Sequence, residues 1–156
     1  MKVWIEMHGK APITANRGSV LDDYVGYHLR RASILDLNAF ARALADENIK
    51  QVPFAVLCMI DEDPGITAAE IARLTGLQRA NLAPMLAELE GRGLVDRLPD
   101  REDHRVQRLH LTAEGAASLA RWRERVLEHE GRLLRNLTED EQATLRRLLA
   151  KVWKPD

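Results

Sequence analysis

Residues 67–93 read TAAEIARLTGLQRANLAPMLAELEGRG, and the fold is decided there. Thr67 and Glu70 frame a capping box, in which the threonine oxygen and the glutamate satisfy each other's orphan amides at a helix start. The helix so opened carries Ile71, Ala72 and Leu74 and stops at Thr75 and Gly76. After a three-residue turn a second helix is predicted from Gln78 to about Gly91, with Leu82, Met85, Leu86 and Leu89 facing inward. Two short helices joined by a tight turn containing glycine make a helix-turn-helix.

Beyond Gly91, Arg92 and Gly93 the apolar period falls to two. Residues 94–98 and 106–111 read as two strands, with 99–105 as a charged hairpin tip. Thr112 then caps a long helix with Ala116, Leu119, Trp122, Val126 and Leu133 on one side. A second capping box, Thr138 to Glu141, opens a last helix bearing Leu145, Leu148, Leu149, Val152 and Trp153. On the other side, Asp63, Pro64 and Gly65 form a turn, and Pro53 opens a short buried helix at its first position, where a missing N–H costs nothing. Further back, Leu21, Tyr24, Val25, His28, Ala32, Leu35 and Ala39 recur at helical spacing as far as Leu44. This predicts one helix of about 26 residues starting at Ser19. Residues 1–18, with Gly9, Pro12 and Gly18, read as an arm.

The fold class that follows is mainly α with a small β-hairpin wing: a winged helix-turn-helix over 48–111, flanked by long helices over 19–47 and 112–156. A winged helix needs only 60–70 residues or so, and the flanking stripes need a partner. A second copy related by a two-fold axis is the simplest one.

The chain has 156 residues, 46% hydrophobic and 30% charged, with a net charge of −1. That size suits one domain able to bury a core without staples. No apolar run approaches the roughly 18 residues of a membrane span. Met1 to Ile5 is too short for a signal sequence, and the single Cys58 fits a reducing compartment, so a cytoplasmic protein is expected. Residues 51–111 carry seven arginines, no lysine and ten acids, a net of −3. A polybasic nucleic-acid binder is thereby excluded, and any DNA contact rests on a few placed arginines.

The chain resembles the MarR family of bacterial transcription regulators over about residues 20–154. The resemblance is carried by Ile71 to Leu77, by Leu86 to Val95, by Asp103-His104-Arg105, and by Leu109-His110-Leu111-Thr112. It implies a homodimer held by its first and last helices, bound to a palindromic operator in double-stranded DNA, usually as a repressor, and released by a small, often aromatic, effector. No cofactor is implied.

Gln78, Arg79 and Asn81 lie on the first turn of the second HTH helix, away from its apolar face, with side chains suited to reading guanine and adenine in the major groove. Arg105 at the hairpin tip suits a narrow minor groove, and Asp103 is placed to preset its guanidinium. Thr67, Arg73, Arg101 and Arg108 are expected phosphate contacts. Pro84 lies mid-helix, where a lost amide bond predicts a kink. The family's effector cleft maps onto Tyr24, His28, Arg31, Phe54, Leu57, Met59 and Trp122, apolar walls with cationic groups that suit an aromatic carboxylate or, with Arg30 nearby, a coenzyme A thioester.

Cys58 sits in an apolar run, where an inert thiol is the default, and the five histidines are too scattered for a metal site. No Gly-rich phosphate loop, nucleophile elbow or paired carboxylates in an apolar setting point to an enzyme. The remaining alternative is a winged helix used as a protein-interaction or dimerisation module, for which the acidic middle segment speaks.

Overall fold

The computed structural model describes residues 20–154, so the arm over 1–18 and the helix start at Ser19 lie outside the described residues. The chain divides into two compact units, Met1–Ile34 and Leu35–Asp156.

In the first unit the predicted single helix is broken. A 3-10 turn, Val20–Asp23, precedes α1, Val25–Ala43, and the break falls at Tyr24. The Tyr24 amide bonds back three residues to the Leu21 carbonyl at 3.1 Å, a tighter turn than α geometry, and His28 Nε2 lies 2.8 Å from the Asp22 carbonyl. The imidazole thus occupies a carbonyl that a continuous helix would have bonded itself.

The larger unit takes in the last turns of α1 and then α2, Gln51–Glu62; α3, Ala68–Thr75; α4, Arg79–Gly91; β1, Val95–Pro99; β2, Gln107–Leu111; α5, Ala113–Leu133; and α6, Glu139–Trp153. Lys50 caps α2, so Pro53 stands at its third position rather than its first. It still falls within the first turn, where an amide has no acceptor inside the helix. The capping box on α3 forms: the Thr67 hydroxyl accepts from the Glu70 amide at 3.3 Å, and the Glu70 carboxylate accepts from the Thr67 amide at 2.8 Å. Gly76 ends α3 at φ 70°, a left-handed conformation that glycine adopts without strain.

The two strands pair antiparallel, from Val95 opposite Leu111 to Pro99 opposite Gln107. A bridge from Arg108 to Thr67 joins the wing to the start of α3. Val56, Leu57 and Ile60 of α2, Ile71 of α3, Leu82, Leu86 and Leu89 of α4, Val95, Leu109, Leu119 and Trp122 form one core. Each such side chain contributes about 1.5–3 kcal/mol through burial. Leu74 is half exposed, and of the eight residues of α3 only Ile71 is fully buried.

Two devices fix α4 and the wing. At the end of α4, Arg92 donates to the Glu47 and Asn48 carbonyls at 2.9 and 3.0 Å, pinning that end to the turn after α1. At the start of α5, a Cβ added to Gly115 would lie 2.0 Å from the Leu94 carbonyl oxygen. Only glycine permits this approach, and Thr112 completes the joint by donating to the Gly93 carbonyl at 2.6 Å. By contrast, α6 has no buried residue, and Leu145, Leu148, Val152 and Trp153 remain exposed.

Candidate nucleic-acid interface

Gln78 is the N-cap of α4, with extended backbone (φ −67°, ψ 138°) and no side-chain cap bond. Among the described residues its side-chain amide makes no hydrogen bond, nor do the side chains of Arg79 and Asn81 on the turn that follows, and all three are exposed. The same helix buries Leu82, Leu86 and Leu89, so its N-terminal turn projects polar groups while its inner face is anchored. Pro84 is accommodated within α4, and both it and Ala80, whose carbonyl loses the amide partner, face solvent.

The wing tip is organised by carboxylates. Asp103 grips Arg105 through two parallel bonds, Nε to Oδ1 and Nη2 to Oδ2, both 2.9 Å, and Oδ1 also accepts the Arg105 amide at 3.0 Å. The Arg105 side chain is nevertheless 91% exposed. Its guanidinium beside Asp103 holds that carboxyl below the usual carboxylate range. A fork of this kind adds geometric definition more than stability.

Asp100, which the sequence reading passed over, does more. Its Oδ1 accepts the amides of Glu102 at 2.9 Å and Asp103 at 3.1 Å, and its Oδ2 accepts Arg108 Nε at 2.6 Å. The Asp103 and Glu102 amides and the Arg108 guanidinium together lower its pKa from 3.8 to about 2. The signal was present: an aspartate directly after Pro99, with a charged tip following, is the usual start of an Asx turn.

Arg108, expected at a phosphate, is also tied within the protein. Besides Asp100 it donates to the Gly65 carbonyl at 3.2 Å, so its guanidinium braces the wing against the turn before α3. Thr67 has both hydroxyl functions engaged with Glu70. Arg73 and Arg101 are exposed, and Arg101 makes no side-chain hydrogen bond among the described residues.

Within the larger unit lies a cleft of about 550 Å³, walled by Phe40, Phe54, Met59, Val126, Leu145 and Leu149. Its polar groups are Asp36, Gln51, Cys58, Glu62, His129, Glu130, Gln142 and Arg146. His129, 3% exposed, bonds Asp36 Oδ1 at 3.0 Å, and Gln51 donates to Asp36 Oδ2 at 2.6 Å. Of the expected effector residues, Phe54 and Met59 line this cleft. Leu57 and Trp122 do not: at 0% and 1% exposure they are core, Leu57 because helical period turns it away from the lining side, and Trp122 because it stands one turn before Val126, where α5 packs on the core. Tyr24, His28 and Arg31 belong to the first unit and are exposed there. The cleft residues missed, Asp36, Gln51 and His129, had no spacing signal, since they come together from three helices. Burial raises the Cys58 thiol pKa against the pull of Arg123 and fits an inert thiol.

No helix among the described residues is long and apolar enough to cross a membrane. A family model described as the MarR family matches residues 49–106. The multiple antibiotic resistance protein MarR of Escherichia coli is 38% identical over 112 residues, covering 70% of this chain and 76% of that protein. An HTH-type transcriptional repressor of Mycobacterium tuberculosis is 29% identical over 131 residues, 84% of this chain and 94% of that one. Among solved structures, the transcriptional repressor CouR bound to a 23-mer DNA duplex is similar with a TM-score of 0.83 and 34% identity, over 90% of this chain and 100% of that one. CouR bound to p-coumaroyl-CoA is similar with a TM-score of 0.77 at the same identity, over 90% of this chain and 99% of that one. A helix-turn-helix closed by an Asp-x-Arg wing, with relatives of this identity spanning most of both chains, places the sequence: it belongs to the MarR family of transcriptional regulators.

Proposed function

We propose that this chain is a repressor that binds a palindromic operator as a homodimer and is released by a small effector, an aromatic acid or its coenzyme A thioester. The observation that carries the DNA reading is the Arg105 guanidinium, 91% exposed yet held by a two-bond fork from Asp103. An exposed arginine normally samples many rotamers. One aimed in advance loses less entropy when it enters a minor groove, where negative potential is enhanced. In this reading Gln78, Arg79 and Asn81 face base edges in the adjoining major groove, while Arg73 and Arg101 meet phosphates, and Thr67, whose donors both go to Glu70, sets the start of α3 instead.

The exposed apolar side chains of α6 support a second copy of the chain as partner, since a monomer rarely leaves such a face to water. That one similar repressor, CouR, has been seen on DNA and with p-coumaroyl-CoA supports an effector of that class. The cleft favours the aromatic portion of such a ligand over its anionic portion, because Arg146 stands among Asp36, Glu62 and Glu130.

The test is an electrophoretic mobility shift on the intergenic DNA upstream of the protein's own gene, with wild type and Arg105→Ala side by side. A shift by wild type that weakens at least tenfold in the variant supports the repressor, about the worth of one good groove contact. No shift at low or moderate salt favours the interaction-module reading.

A further inference from the structure

We infer that Asp100 is the positioning residue of the wing: through the Asp103 amide and the Arg108 guanidinium it sets where Arg105 points, without touching DNA itself. The inference rests on the proposed role of Arg105. Three bonds converge on this one carboxylate, two from backbone amides of the tip and one from Arg108. The first two fix the turn that carries Asp103, whose own carboxylate forks Arg105. The third runs through Arg108 to the Gly65 carbonyl, on the turn between α2 and α3. Next to it, Gly65 donates to the Leu109 carbonyl at 2.8 Å, and Leu109 donates back to the Ile66 carbonyl at 3.1 Å. The tip is thus referenced to the body of the reading head rather than hanging from its strands alone.

The residues facing Asp100 explain why a carboxylate is needed there. The tip between the strands carries Arg101, Glu102, Asp103, His104 and Arg105 within five consecutive positions. Left to itself such a segment would be a solvated loop with many conformers, and the Asp103–Arg105 fork would then move as a rigid pair with it. Asp100 accepts the amides that would otherwise seek water and places an anion opposite Arg108, which keeps that arginine from swinging to a phosphate.

A double-mutant cycle tests this, using fluorescence anisotropy of the full chain on a labelled duplex of its own upstream intergenic DNA. If the tip reaches the aimed state only about one time in ten without its anchor, Asp100→Ala weakens binding about tenfold. In the Arg105→Ala background the same substitution changes affinity less than twofold, since nothing remains to aim. Asp100→Asn, which keeps an oxygen for both amides but loses the charge opposite Arg108, falls between wild type and Asp100→Ala. It also carries the cycle should the alanine variant fail to fold. Equal losses in both backgrounds, or no loss from either variant at Asp100, overturn the inference. An Arg105→Ala protein that binds like wild type overturns instead the reading beneath it.

Discussion

Side chains on the wing give the clearest chemistry at the scale of single residues. The Asp103–Arg105 fork could be read from a three-residue motif, because both partners sit two apart on one turn. Asp100 and Arg108 could not be paired in that way, since their meeting depends on strand register, which sets Leu98 against Arg108 and curls the tip back. The pKa of Asp100, lowered to about 2 by its amide and arginine partners, has a testable sign. A carboxyl whose folded value is depressed adds stability above its unfolded value of 3.8, and loses it as pH falls toward 2. The wing should keep its order throughout the range from pH 5 to pH 8. Carbon-detected NMR of the Asp100 carboxyl should show a midpoint near 2, and a midpoint near 4 would mean that these bonds do not form in solution. Gly115 is another single position with a large expected effect. Gly115→Ala gains about 1 kcal/mol of helix propensity but drives a Cβ to 2.0 Å from the Leu94 carbonyl. The clash should dominate and lower unfolding free energy by about 1–3 kcal/mol in urea titrations, whereas an unchanged or raised midpoint would contradict the close approach.

Helices, strands and their caps were legible where chemistry is local. Thr67 and Glu70, Thr112, and Thr138 and Glu141 each announce a helix start by side chains that need no distant partner, and each start lies where they place it. The failures arose where the decision was not local. A periodic apolar stripe ran through Tyr24, yet the chain breaks there, because period alone does not register a 3-10 turn stabilised by His28 on the Asp22 carbonyl. Leu57 and Trp122 are core rather than cleft wall, since a stripe marks an inward face without saying whether core or cavity lies beyond it. Pro84 offers a check at this scale. It removes one amide bond from an exposed stretch of α4 whose two ends are fixed independently, by the buried Leu82 and by Arg92. Pro84→Ala should therefore restore the bond to Ala80 and stabilise the protein by about 1–3 kcal/mol in thermal or urea unfolding. A destabilised variant would show that the helix is shaped around its proline.

At the scale of the whole molecule DNA binding depends on pairing and on charge. Apolar side chains at the exposed face of α6, and the separate exposed set Val25, Leu29 and Ile34 in the first unit, are too many for a chain that works alone. Sedimentation at micromolar concentration should report a dimer, and a single-subunit mass would remove the second reading head. With a net charge of −1, the chain cannot bind DNA through bulk attraction, so affinity must come from a limited set of phosphate contacts. If six to ten phosphates are met per dimer, affinity falls about 10³–10⁵-fold between 50 and 200 mM salt. A dissociation constant indifferent to salt would place the contacts elsewhere. The overall class could be anticipated because the order of helices, hairpin and helices is written in caps and periods. The need for a partner was legible in the unpaired apolar stripes, but the cleft was not, because its lining is assembled from distant segments.

Hydroxyl-radical footprinting of the upstream duplex asks most directly whether two such heads read DNA together. Two protected patches should appear, related by a two-fold axis and centred about one helical turn apart. The minor-groove protection flanking them should disappear in Arg105→Ala while the two central patches weaken but persist. A single patch, or flanking protection that survives loss of Arg105, would contradict the account.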